Sequence, residues 1–175
     1  RSKGTESTQT KHAMHIGLIG GIGPAATEFY YRGLCDAFEP ISPLPVLNGV
    51  TALNAHLNRS GLTRVGLLGT RFVTETGVYG KVTGIDLVYP SDADIATVHE
   101  AYVGMATAGR VTDAQRYILL GAGRKMMESQ GADAIVLAST DLYLALEAHD
   151  PGYPTIDAAA VHVAAIFEAA SAGPG

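Results

Sequence analysis

The chain has 175 residues, 47% of them hydrophobic, with 12 Lys plus Arg against 17 Asp plus Glu, a net charge of -5 and one cysteine. That length suits one domain or two small lobes, and a negative balance without a basic block excludes nucleic acid as the expected partner. No apolar run reaches membrane-span length and no signal-peptide core is present, so the expected protein is cytoplasmic, with no membrane partner; the lone Cys35 excludes an internal disulfide and a cysteine-rich metal site.

Residues 1–13 are polar and read as a disordered extension or a non-native appendage, with Met14 as a natural start. His15 to Ile19 is a short apolar run, followed by Gly20, Gly21, Gly23 and Pro24 and then a helical stretch, which is the pattern of a strand, a glycine turn and a helix. Val46-Leu47 is a buried-strand candidate ahead of a helix near 49–60. Arg64 to Leu68 with Gly69-Thr70-Arg71 repeats the opening theme, so two similar lobes are expected. Ile85 to Tyr89 is a further strand. Ser91 with Asp94, and Thr112 with Gln115, carry capping-box patterns that open helices reaching about Met105 and Ser129, the second closed by Gly131. Ala134 to Ala138 is an unalternating apolar run of the kind buried in a parallel sheet, Ser139-Thr140-Asp141 opens a helix, Pro154 to Ile156 is a last strand, and 158–170 is an Ala-rich helix. The sum is an α/β fold, with mostly parallel sheets flanked by helices.

Gly21-x-Gly23-x-x-Ala26 has the outline of a dinucleotide-binding turn, but Pro24 interrupts it and no acidic residue ends a clear second strand, so nucleotide binding is not favoured. Thr70 and Arg71 follow one strand and Ser139, Thr140 and Asp141 another, and the carboxyl ends of strands in an α/β sheet converge on the ligand crevice. Hydroxyls and helix-terminal N–H groups there can hold a carboxylate, with Arg71 as a charged clamp; the same residue types also serve as plain helix caps. The six histidines make no HExxH and no Cys/His cluster, so no metal is expected. His99 is a candidate for proton transfer or an ordinary helix-surface histidine, and Tyr79 and Tyr89 are cleft-lining or core-edge aromatics.

Taken together and in this order, HIGLIGGIGPAAT at 15–27, VGLLGTRF at 65–72, GVYGK at 77–81, YPSDADIATVHE at 89–100, GADAIVLASTD at 131–141 and YPTID at 153–157 resemble the aspartate/glutamate racemase family. The resemblance covers most of residues 14–170. It implies two similar α/β lobes and cofactor-independent racemisation of acidic amino acids, in which two cysteines on opposite faces of the substrate exchange its α-proton without pyridoxal phosphate or metal. It also implies a homodimer.

Carried over residue by residue, the resemblance places Gly21, Gly23 and Pro24 in a first-lobe loop and Thr70 and Arg71 in a second-lobe loop, all with Thr140 and Asp141 as substrate-binding positions. The family's Gly-Cys-Thr-Glu segment corresponds to Ala138-Ser139-Thr140-Asp141, so Ser139 stands where the second catalytic cysteine would be. No counterpart of the first catalytic cysteine is found, and Cys35 does not fill that place. Judged by the resemblance, the first lobe (14–60) is incomplete, missing an internal segment near 32–36; the second lobe is 61–170 and 171–175 a flexible tail. The expected activity is α-proton transfer on aspartate, glutamate or a related small carboxylate in an interlobe cleft. The alternatives are a decarboxylase or cis-trans isomerase, and a catalytically silent carboxylate binder.

Overall fold

The computed structural model describes residues 47–80 and 82–171. They belong to a compact unit that begins at Leu47. The expectations for residues 1–46, the glycine loop with Gly21, Gly23 and Pro24 among them, lie outside the described residues, as does most of the tail.

Four parallel strands form the sheet: β1 (Arg64–Leu68), β2 (Asp86–Val88), β3 (Ala134–Leu137) and β4 (Thr155–Asp157), in the order β2-β1-β3-β4. Among the described residues six helices are interleaved with them: α1 (Gly49–Ser60), α2 (Arg71–Thr76), α3 (Asp92–Ala108), α4 (Asp113–Gln130), α5 (Tyr143–Leu146, entered through a 3-10 turn at Thr140–Leu142) and α6 (Ala158–Ser171). The chain leaves β1 for β2 on one side, then crosses back through α3 and α4 to β3 on the other side. A reversal of that kind leaves a gap between the outgoing connections, and it falls between β1 and β3.

Successive side chains of a strand face opposite sides of the sheet, and the two cores follow this alternation. Leu68, Ile135 and Leu137 pack with Val98, Ala101 and Met105 of α3, Leu119, Ala122 and Met126 of α4, and Leu142 and Ala145. Val65, Leu67, Val136 and Ala138 pack on the other face with Leu53 and Leu57 of α1, Val73 and Val82. With both faces covered, the strands have no polar face, which is why β3 reads as a continuous apolar run. Helix α1, grouped by sequence order with the first lobe, completes this second core and packs on α6.

The helix ends show where local signals prevail. Thr112 and Gln115 make a reciprocal capping box, and Gly131 closes α4 in the left-handed conformation. Ser91 does not cap α3: its hydroxyl donates to Asp94 Oδ2 (2.7 Å), and Asp94 in turn accepts from Lys125 Nζ (2.7 Å). The expected box is not formed because the Ser91 hydroxyl turns to one Asp94 oxygen instead of the helix N–H groups, while a lysine on the neighbouring helix takes the other oxygen; that lysine and the Ser91 hydroxyl lower the Asp94 pKa. Leu47 is not in a strand; its carbonyl meets His162 Nε2 at 2.9 Å, which ties the start of α1 to α6.

Two features of this framework make testable statements. A Cβ added at Gly123 would collide with Tyr153 Oη, whose hydroxyl donates to Leu120 O and whose burial pushes its pKa up to about 12, whereas one at Gly121 on the same helix has nothing within 4 Å. Gly121→Ala should therefore raise stability by up to about 1 kcal/mol through helix propensity, and Gly123→Ala should lower it by about 1–3 kcal/mol, in urea unfolding. Asp133 Oδ2 accepts from the backbone N–H groups of Arg64 and Thr63 and from the Thr63 hydroxyl, and those donors lower its pKa. A lowered native pKa adds stability that is present above the unfolded value and is lost as pH falls through the native one. The melting temperature of Asp133→Asn should thus fall below wild type at neutral pH, and the gap should close below about pH 4.

Candidate active site

Strand β1 ends at Leu68 and β3 at Leu137, and they pair in register over those residues. The Ala138 N–H extends the ladder to Leu68 O (2.8 Å), and the two loops then meet: the Thr70 N–H donates to Ser139 Oγ at 3.2 Å across 69 residues of sequence. Gly69 permits this approach, since a Cβ there would sit 3.0 Å from Ser139 Oγ and 3.1 Å from Val73 Cγ2.

Ser139 occupies the N-cap position of the following 3-10 turn but makes no side-chain cap. Its hydroxyl is spent on the neighbouring loop. Thr70 does cap: its Oγ1 accepts from the Val73 N–H (3.4 Å) while its own N–H serves Ser139. Arg71 opens α2 with its N–H directed at His99 Nδ1 (3.4 Å), and its guanidinium lies only 3.9 Å from Glu75 on an exposed surface. Surface pairs of that length hold little. Acceptance at His99 Nδ1 assigns the ring proton of the neutral histidine to Nε2.

Thr140 and Asp141 complete the β3 loop. Asp141 Oδ2 accepts from the Tyr102 hydroxyl at 2.8 Å and lies 3.4 Å from Thr140 Oγ1. Burial and the Asp141 carboxylate both raise the Tyr102 pKa. Tyr102 is the residue sequence reasoning missed, and its signal was its spacing: three residues beyond His99 on a helix it shares the same face. Tyr79 lies at the edge of the opposite core and donates to Ala138 O (3.3 Å), immediately before Ser139; burial raises its pKa. Tyr89 makes no contact with these loops through its carbonyl, which instead accepts from Gln130 Nε2.

The structure therefore brings Thr70, Arg71, His99, Ser139, Thr140 and Asp141 to the carboxyl ends of β1 and β3. A separate cavity of about 310 Å³ is lined by Pro90, Asp94, Lys125, Met126 and Gln130 and by none of these residues. Among the described residues no group of His, Cys, Asp and Glu side chains is arranged to hold a metal, and no helix is long and apolar enough to cross a membrane.

Residues 33–166 match the sequence profile of the Asp/Glu/hydantoin racemases. The chain belongs to that family. Solved structures give the same answer for the fold. A Yersinia pestis protein described as a candidate Asp/Glu racemase superimposes with a TM-score of 0.67 at 28% identity, over 78% of this chain and 60% of its own. An aspartate racemase homologue from Pyrococcus horikoshii OT3 gives 0.70 at 22% identity, over 81% and 63%, and the Picrophilus torridus aspartate racemase 0.53 at 21%, over 72% and 53%. The chain thus spans 60%, 63% and 53% of the lengths of these three racemase-family proteins, and the last two bear on the fold alone.

The close approach at Gly69 predicts a coupling. Gly69→Ala should destabilise the protein by about 1–3 kcal/mol, and by less in a Ser139→Ala background, because removing Oγ frees the nearest of the three obstructing atoms, the other two being Val73 Cγ2 and Cβ. Equilibrium unfolding of the four proteins of this cycle measures it; strict additivity would contradict the contact.

Proposed function

We propose that this racemase-family protein is a cofactor-independent isomerase that moves the α-proton of aspartate, glutamate or a related small carboxylate. The hydrogen bond from Thr70 N–H to Ser139 Oγ carries the reading. It holds a hydroxyl at the family's cysteine position, beside a loosely paired arginine and at the switch point of a parallel sheet, where such folds place their ligands.

Removing an α-proton leaves an electron pair that must move into the adjacent carboxylate, so charge builds on that group as the C–H bond breaks. The Arg71 guanidinium and the Thr140 hydroxyl are the groups assigned to that carboxylate. Ser139 delivers a proton to the carbanion from its own face, and the Thr70 N–H stabilises the oxygen left behind until solvent reprotonates it. A serine hydroxyl suits delivery better than abstraction, because it ionises far less readily than a thiol. His99, with Nδ1 engaged by Arg71, offers Nε2 for relaying a proton. The group that works on the opposite face is not among the described residues.

A second reading has its own support: among the described residues no side chain accepts the Ser139 hydroxyl proton, which suits a protein that binds small carboxylates without turning them over, or one that delivers a proton to one face only, as a decarboxylase does. Incubation with L- and D-aspartate and glutamate in deuterated water separates these. The isomerase reading expects α-deuteration of both hands, abolished in Ser139→Ala and raised about tenfold or more in Ser139→Cys, whose thiol is the better base. Binding of dicarboxylates without exchange, lost in Arg71→Ala, would leave the silent binder.

A further inference from the structure

Helix α3 presents two polar side chains one turn apart on one face, and each reaches a different loop of the site. His99 takes the Arg71 N–H from the loop after β1, and Tyr102 gives its hydroxyl proton to Asp141 in the loop after β3. The helix itself is fixed below them by Val98, Ala101 and Met105, buried among the side chains of α4 and the sheet. Asp141 Oδ2 in turn accepts from Thr140 Oγ1 at 3.4 Å, and Thr140 follows Ser139 directly.

We propose that Tyr102 is a positioning residue for the site, setting the Ser139-Thr140-Asp141 turn by holding the Asp141 carboxylate against α3. The proposal rests on the isomerase reading only in making this turn the working part. The hold itself is a property of the folded chain. Tyr102 acts through Asp141, and its hydroxyl also meets the Thr140 side chain next to it. Without the phenol, the Asp141 carboxylate loses its shortest hydrogen bond, the turn keeps only its apolar packing on the helix through Leu142, and the Ser139 hydroxyl is no longer kept opposite the Thr70 N–H. A hydrogen bond to a charged group is among the stronger ones a side chain makes, so its loss is large enough to measure.

The test uses the full chain and two readouts. Amide hydrogen exchange by NMR in the free protein reports the Thr70 N–H: Tyr102→Phe should speed its exchange about tenfold or more while core amides of β1 and β3 are unchanged. Tyr153→Phe, which removes another half-buried phenol from a different contact, should leave Thr70 within about twofold of wild type. Exchange of Thr70 unaltered in Tyr102→Phe, or raised equally by Tyr153→Phe, overturns the proposal. In the turnover assay Tyr102→Phe should lower kcat about tenfold with KM changed less than about twofold, and should have no added effect in an Asp141→Asn background. Additive effects of the two substitutions overturn it as well. A wild-type protein that exchanges no acidic amino acid defeats the isomerase reading, and the Thr70 amide then decides the role of Tyr102 by itself.

Discussion

Everything at the candidate site depends on the parallel pairing of β1 with β3. The two strands are separated by about seventy residues of sequence, yet their ladder runs from Val65–Ala134 to Leu68–Leu137 and is continued by Ala138. Because parallel neighbours end on the same side, this ladder delivers Thr70 and Ser139 to one place with their heights matched. Had the two strands been antiparallel, one loop would lie at the far edge of the sheet. The strand order adds the second requirement, since the connections from β1 and β3 diverge and leave room above the pair.

The two cores keep that ladder in register. A slip of one residue in β3 would send Ile135 and Leu137 to the face of α1 and Val136 and Ala138 to that of α3 and α4, overfilling the former core and leaving the latter short of side-chain volume. The level at which β1 and β3 end is therefore fixed by buried hydrocarbon. Asp133 makes the same point at the other end of the strands, where one carboxylate oxygen gathers donors from Thr63 and Arg64 and aligns the starts of β1 and β3. The polar loops sit on a frame that is specified without them.

Sequence patterning reveals that frame well, because it depends on local rules. The apolar runs at 64–68 and 134–137, the Thr112–Gln115 box and the Gly131 stop each follow from the physics of a few adjacent residues. The failures came where a distant partner intervened. Ser91 and Asp94 have the spacing of a box but the carboxylate is shared between the Ser91 hydroxyl and Lys125, and Leu47 has the character of a strand residue but its carbonyl meets a histidine on α6. Of the site, Thr70, Arg71 and Ser139 to Asp141 were legible from their places after strands, and the resemblance to racemases singled out Ser139. That Ser139 is held by Thr70 rather than capping its own turn was not, since both uses ask for the same residue type, and the one sign of Tyr102, its spacing of three from His99, does not name the carboxylate on the facing loop.

The grip on Ser139 has a property of its own. Its donor is a main-chain N–H, which every residue except proline supplies, so the identity of the side chain at position 70 is irrelevant to it. Sulfur accepts from an amide as well as oxygen does in kind, though more weakly. The cradle is accordingly indifferent to which nucleophilic atom it receives, and an exchange of thiol for hydroxyl at position 139 alters the reactivity of the occupant while leaving its address in the fold unchanged.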